Sequence, residues 1–170
     1  MVMKIILDQN TMERTIRRIS YEIIEKNRDL SNIIVFGIKS RGIILGKRIV
    51  ANIEAIEGVK LPFEPLNVRP FRDDLKEPLP KELPSIDISG KTVILIDDVL
   101  YTGRTIRAAL DAIIEIGRPA LIQLAILIDR GHRELPIAAN YVGKNIPTSR
   151  SEKVQVNFME TDGIEQVVLS

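Results

Sequence analysis

The stretch Val93-Ile-Leu-Ile-Asp-Asp-Val-Leu-Tyr-Thr-Gly-Arg-Thr105 decides the reading of this chain. Val93 to Ile96 are apolar and mostly β-branched, the composition of a strand covered on both faces in a parallel sheet. Asp97 and Asp98 then stand at the carboxyl end of that strand, where open α/β sheets bind ligands. Two adjacent carboxylates in that position can accept hydrogen bonds from the vicinal hydroxyls of a ribose. Thr102-Gly-Arg-Thr105 turns into a helix expected over Ile106–Ile116, whose first N–H groups lack internal partners and whose dipole favours an anion. Gly103 permits close backbone approach, and Thr102 and Thr105 add hydroxyl donors. An Asp-Asp pair or a Thr-Gly turn alone is most often a strand end or an ordinary helix cap. Joined at this spacing, they describe a site for a sugar phosphate.

Composition bounds the rest. A chain of 170 residues with 45% hydrophobic and 28% charged residues suits one compact domain, expected over 1–170. Its 24 Lys and Arg nearly balance 23 Asp and Glu, so attraction to nucleic acid must come from a local patch rather than net charge. Without cysteine there is no disulfide, thiolate nucleophile or thiolate metal site, in keeping with a cytoplasmic location. The N-terminal run reaches Asp8 too soon for a signal peptide, and no apolar stretch is long enough to span a membrane.

Strand and helix patterns alternate along the chain, predicting an α/β fold with a mainly parallel central sheet flanked by helices. Lys4–Leu7 reads as a strand, Thr11–Asn27 as a helix capped near Asp8 or Asn10, and Ile33–Gly37 as a buried strand. A second helix is expected to turn Ile44, Ile49, Ile53 and Ile56 inward and to stop at Gly58. Pro62–Val68 reads as a strand, Pro70–Gly90 as a mobile proline-rich loop, and Ala120–Ile128 as a strand after the helix stop at Gly117-Arg-Pro119. Asp129–Ser151 has little periodicity and is expected to form a lid outside the sheet.

Two other loops carry charge suited to a diphosphate. Lys39-Ser40-Arg41-Gly42 lies between a strand and a helix, so its free N–H groups and two cations could hold pyrophosphate. Phe71-Arg72-Asp73-Asp74 could close over it and exclude water. The P-loop lysine pattern and the spaced glycines of a dinucleotide site are both missing, which argues against ATP and NAD.

The Val93–Thr105 run resembles, position for position, the phosphoribosyl-diphosphate (PRPP) signature of type I phosphoribosyltransferases. Arg72-Asp-Asp-Leu75, Asp98–Thr105, Gly117-Arg-Pro119, Asp129-Arg-Gly-His-Arg-Glu-Leu-Pro136 and Gly143-Lys-Asn-Ile-Pro-Thr148 are further similar to the PyrR family, bifunctional pyrimidine operon attenuators and uracil phosphoribosyltransferases. That resemblance implies transfer from PRPP to uracil giving UMP, with Mg²⁺ carried mainly by PRPP and no direct protein metal ligand. It implies a type I phosphoribosyltransferase fold with a small hood, about 129–151, over the base. Asp97 and Asp98 would hold the ribose. Val99, Leu100 and Tyr101 would contact substrate, Thr102, Gly103, Arg104 and Thr105 would form the 5-phosphate site, and Lys39, Ser40, Arg41 and Gly42 the pyrophosphate site, with Arg41 and Arg72 joining the acids in catalysis. Related enzymes place a cis peptide at the position of Ser40–Arg41. Asp129, Arg130 and the backbone of Val142 and Lys144 would contact uracil. His132, the sole histidine, is expected to make a surface hydrogen bond rather than act as a base.

A second activity is written on the first helix. At about 100° per residue, Arg14, Arg17, Arg18, Tyr21 and Arg28 fall on one arc, opposite Met12, Ile16, Ile19 and Ile23. By the family resemblance the basic arc binds leader mRNA, although Arg17 and Tyr21 replace the threonine and histidine of the family pattern. The resemblance also implies a homo-oligomer. The alternatives are an RNA-binding regulator with little catalysis and a phosphoribosyltransferase for another nucleobase.

Overall fold

The computed structural model describes residues 2–170. In chain order its elements are β1 (Lys4–Leu7), α1 (Gln9–Lys26), β2 (Ile33–Ile38), α2 (Arg41–Glu57), β3 (Phe63–Leu66), β4 (Thr92–Leu100), α3 (Arg104–Ile116), β5 (Leu121–Asp129), β6 (Tyr141–Asn145), β7 (Val154–Asn157), α4 (Met159–Asp162) and β8 (Gln166–Leu169). Five strands form a parallel sheet in the order β3-β2-β4-β5-β6. From β2 the chain crosses to β3 on one side, then returns to β4 on the other. The crevice at the carboxyl ends of β2 and β4 is therefore the switch point at which sheets of this kind bind ligands.

β2 and the Val93–Ile96 part of β4 are apolar because both faces are covered. Ile94 and Ile96 point into a core shared with α1 and α2, whereas Val93 and Leu95 point into a second core beneath α3. Each such side chain contributes about 1.5–3 kcal/mol through burial. The strand runs further than its apolar residues suggest. β4 continues through both acids to Leu100, and Asp97 pairs with Ile126 of β5, so Asp97 and Asp98 lie within the ladder rather than beyond it.

α1 buries Met12, Ile16, Ile19 and Ile23, as its pattern predicts, and starts at Asp8, whose carboxylate accepts from the Thr11 N–H at 2.8 Å. α2 stops at Gly58 as expected, but its buried stripe is Leu45, Ile49, Val50 and Ile53, with Ile44 and Ile56 only partly covered. The proline-rich segment between β3 and β4 has no strand or α-helix, yet it lies against the domain: Ile88 is buried, and Phe71, Leu83 and Ile86 pack on the α3 side.

One expectation needs correction. The Asp129–Ser151 region does not stay outside the sheet, because Tyr141–Asn145 joins it as the parallel edge strand β6. A second, antiparallel sheet, β1-β8-β7, is stitched from the two ends of the described chain. Among the described residues no helix is long and apolar enough to cross a membrane.

Candidate active site

The two acids occupy different environments. Asp97 is buried, and its Oδ1 accepts from the Asp98 N–H at 2.9 Å. Burial, followed by the neighbouring charge of Asp98, holds its carboxyl well above the usual carboxylate range. Asp98 is half-buried and accepts from the Val99 N–H at 2.9 Å. An outer acid facing the crevice and an inner acid behind it therefore follow from one position along a strand whose side chains alternate.

The chain leaves β4 through Tyr101 and Thr102 and enters α3 at Gly103, whose φ of 94° requires a residue without a Cβ. The Thr102 hydroxyl accepts from the Arg104 N–H at 3.3 Å, which shapes the turn. The first N–H groups of α3 then point along the helix axis toward the crevice. Two groups from other segments meet this cradle. Arg72 donates to the Thr105 hydroxyl at 2.9 Å, and the Glu134 N–H donates to the Thr102 carbonyl at 2.9 Å. The Arg104 side chain turns away, pairing with Glu134 at 2.8 Å and Asp73 at 3.2 Å, so Arg104 offers the cradle its backbone. Arg107, one turn further on, donates to the Phe71 carbonyl at 3.0 Å. Loop 71–74 is thus tied to α3 by three arginines.

Across the crevice, Gly42 comes so near β4 that a Cβ would lie 2.5 Å from the Ile96 carbonyl. The cis peptide falls at Lys39–Ser40, one bond before the position expected. Lys39 and Ser40 are exposed beside the crevice. Arg41 is committed elsewhere: its Nε donates to the Val156 carbonyl at 2.8 Å and Nη2 pairs with Asp162 at 2.9 Å. Its guanidinium joins α2 to the small sheet. Asp162 is in turn held below the usual carboxylate range, first by the Phe158 N–H.

Beside the carboxyl end of β5 lies a cleft of about 550 Å³, lined by Asp129 to Arg133 on one side and Asn145 to Thr148 on the other. The volume is adequate for a small heterocycle. Arg130 is buried with its guanidinium over the Tyr101 ring, 4.0 Å from the centroid, and donates to the Ser149 and Glu152 carbonyls. Asp129 accepts from the Gly131 N–H and pairs with Arg133. His132 Nε2 bonds the Thr148 carbonyl at 2.5 Å, a hydrogen-bonding role as expected. Val142 and Lys144 are outside the lining of this cleft. Both lie lower in β6, and the Val142 carbonyl is engaged by Arg18. The lining begins at Asn145 instead, within the run Gly143-Lys-Asn-Ile-Pro-Thr148.

Arg14, Arg17, Arg18 and Tyr21 are exposed on α1. Arg28 is exposed too but lies past the end of the helix, which closes at Asn27, so it does not share the helical arc. Among the described residues no group of three or more acidic, His or Cys side chains is arranged to hold a metal.

The switch-point crevice thus brings together the paired acids, the start of α3 and a basic strand-helix turn. The model of the phosphoribosyl transferase domain matches residues 2–159. The pyrimidine operon regulatory protein of Lactococcus lactis subsp. lactis is 54% identical over 169 residues, covering 99% of this chain and 98% of that protein. The bifunctional protein PyrR of Streptococcus pyogenes serotype M12 is 56% identical over 164 residues, 96% of this chain and 95% of its own. A hypoxanthine-guanine phosphoribosyltransferase structure from Bacillus anthracis shares the fold with a TM-score of 0.75 at 17% identity, covering 98% of this chain and 97% of that one. The chain belongs to the PyrR family of phosphoribosyltransferases.

Proposed function

We propose that the protein transfers ribose 5-phosphate from PRPP to N1 of uracil, releasing pyrophosphate and UMP, and that it also binds leader RNA to attenuate pyrimidine genes in response to uridine nucleotides. The observation that carries the reading is the placement of Asp97, Asp98 and the Thr102–Thr105 turn at one crevice, 54–56% identity to the bifunctional relatives supporting the choice of base and gene target.

In this reading the C1–O bond to pyrophosphate breaks as the N1–C1 bond to uracil forms, and positive charge develops on the ribose ring. The protein positions and stabilises that charge rather than forming a bond of its own. Asp98, with Asp97 behind it, holds the ribose hydroxyls. The α3 N–H groups and the Thr102 and Thr105 hydroxyls hold the 5-phosphate, with Arg72 closing from above. Lys39 and Ser40 receive the leaving pyrophosphate. Asp129 and Arg130 with Asn145 to Thr148 enclose the base. Mg²⁺ would neutralise the pyrophosphate, and the lone half-buried carboxylate of Asp98 fits a cation that keeps waters and takes most ligands from substrate.

The basic face of α1 is the RNA surface, and the exposed apolar side chains Ile114 and Leu121, which line one cleft, favour a homo-oligomer. The absence of cysteine agrees with work in the cytoplasm. Mixing the protein with PRPP, Mg²⁺ and each nucleobase in turn should give UMP from uracil alone. A purine nucleotide would overturn the base assignment, and no nucleotide at all would leave only the regulator.

A further inference from the structure

Arg18 belongs to the exposed basic face of α1, yet its guanidinium reaches the main sheet. Nη1 and Nη2 each lie 3.4 Å from the Val142 carbonyl, and Nη2 also donates to the Gly143 carbonyl. β6 is an edge strand, so carbonyls on its outer side have no strand neighbour, and Arg18 stands in for one. Gly143 makes the approach possible. A Cβ there would fall 2.4 Å from the Leu127 carbonyl and 2.9 Å from Thr15 of α1. Arg18 is also bound by Glu22 at 3.0 Å, and with 47% of its side chain exposed it can meet a further partner.

Two residues past Gly143, the same strand becomes the wall of the base cleft. Asn145 to Thr148 line it, and the Ile146 N–H is fixed to the Asp129 carbonyl at 2.9 Å. One short strand thus joins a guanidinium on the outer face of α1 to the pocket that would receive the base.

We infer that Arg18 is a positioning residue through which RNA on α1 and nucleotide in the cleft act on each other, an inference that rests on the RNA-binding part of the proposed function. An RNA phosphate takes the place of the Glu22 carboxylate, because both anions compete for the same donor. Nη2 stays on the β6 carbonyls. Held between phosphate and strand, the guanidinium fixes β6 and with it the cleft wall. In the other direction, a nucleotide that orders the wall holds β6 still and presets Arg18 for the phosphate. Linkage makes the two effects equal in size.

The test is the dissociation constant of UMP, measured with and without saturating 5′ leader transcript of the Lactococcus lactis pyrimidine operon. In the wild type the transcript should tighten UMP by at least about fivefold, the lower end of ordinary coupling. Arg18→Lys keeps a charge for phosphate but loses the planar fork that bridges two carbonyls. It should still bind the transcript while the effect on UMP falls below about twofold, and Arg18→Met should do the same with weaker RNA binding. Glu22→Gln leaves the carbonyl bonds in place and should keep the coupling. Thermal melts of each variant report folding separately. Coupling that persists in both Arg18 variants, or that disappears in Glu22→Gln, overturns the inference. A wild type that binds the transcript with no effect on UMP overturns it alone, whereas a wild type that makes UMP but binds no RNA overturns it together with the RNA half of the proposed function.

Discussion

Arg72 donates through Nη1 to the hydroxyl of Thr105, 2.9 Å away, so a loop from one side of the crevice touches the phosphate cradle on the other. Asp74 holds the same guanidinium through two bonds of 3.0 Å. A 5-phosphate at Thr105 would meet a cation already aimed at it. Arg72→Gln should therefore raise the KM for PRPP about tenfold, a loss of about 1.4 kcal/mol, and leave the KM for uracil within about twofold. Initial rates against each substrate in turn give both numbers, and an unchanged KM for PRPP would detach the loop from phosphate binding.

Asp98→Asn keeps the size of the side chain and removes its charge. Transfer should fall at least about tenfold in kcat/KM with the fold intact, because the developing charge on the ribose loses its nearest carboxylate. Equal kcat/KM in a well-folded variant would remove Asp98 from the reaction.

Asp97 makes a prediction of opposite sign for stability. Its carboxyl is raised in the folded protein by burial and by Asp98, so folding binds a proton that the unfolded chain releases. Its cost to stability is absent below the ordinary carboxylate range and grows as pH rises from there toward the folded pKa. Asp97→Asn removes that cost and can still accept from the Asp98 N–H. The variant should melt about 2–4 °C higher at pH 7, the shift that on the order of 1 kcal/mol produces in a chain of this size, and match the wild type near pH 3. Melting curves at the two pH values decide it. Lower stability at pH 7 would mean that the charge of Asp97 is compensated in the fold.

Thr105→Val should weaken PRPP and UMP together, by roughly fivefold, since both present a 5-phosphate to the same hydroxyl. Free uracil should bind as before. Calorimetric titration of UMP and uracil separates the cases, and a loss confined to uracil would contradict the cradle.

Glu165 is buried and grips Arg48, Nη2 to Oε1 at 2.8 Å, while Glu160 holds the Nε of the same arginine at 3.0 Å. Both acids follow β7, so the pair pins the small sheet to α2. Glu165→Ala strands a partly buried guanidinium and should cost about 2–3 kcal/mol, somewhat below the usual figure for a fully buried pair because Arg48 keeps Glu160 and some solvent. Denaturant unfolding would measure it, and a loss under about 0.5 kcal/mol would show the pair to be ornamental.

Much of this was legible in the sequence. The four apolar residues before Asp97 identify a strand covered on both faces, and the glycine in Thr-Gly-Arg-Thr marks the one backbone position with φ of 94°. Those are local patterns. What stayed hidden depends on residues far apart: Arg41 finds Val156 and Asp162, separated from it by 115 and 121 positions, and no local pattern ties a cation to partners so distant. β6 escaped because Tyr141-Val-Gly-Lys-Asn145 carries a glycine and two polar residues, unlike an interior strand. It is an edge strand made regular by the helix packed along it. The four-residue strands β7 and β8 are too short for their alternation to stand out.

β1 pairs with β8 across almost the whole described chain, with Lys4 opposite Leu169. During translation β1 therefore cannot pair until β8 has been made. The main sheet can form earlier, since β2 to β6 follow one another along the chain. A nascent protein thus holds its acids and the Thr102–Thr105 turn before the small sheet that holds Arg41 exists, and that long-range pairing is the slower step to form.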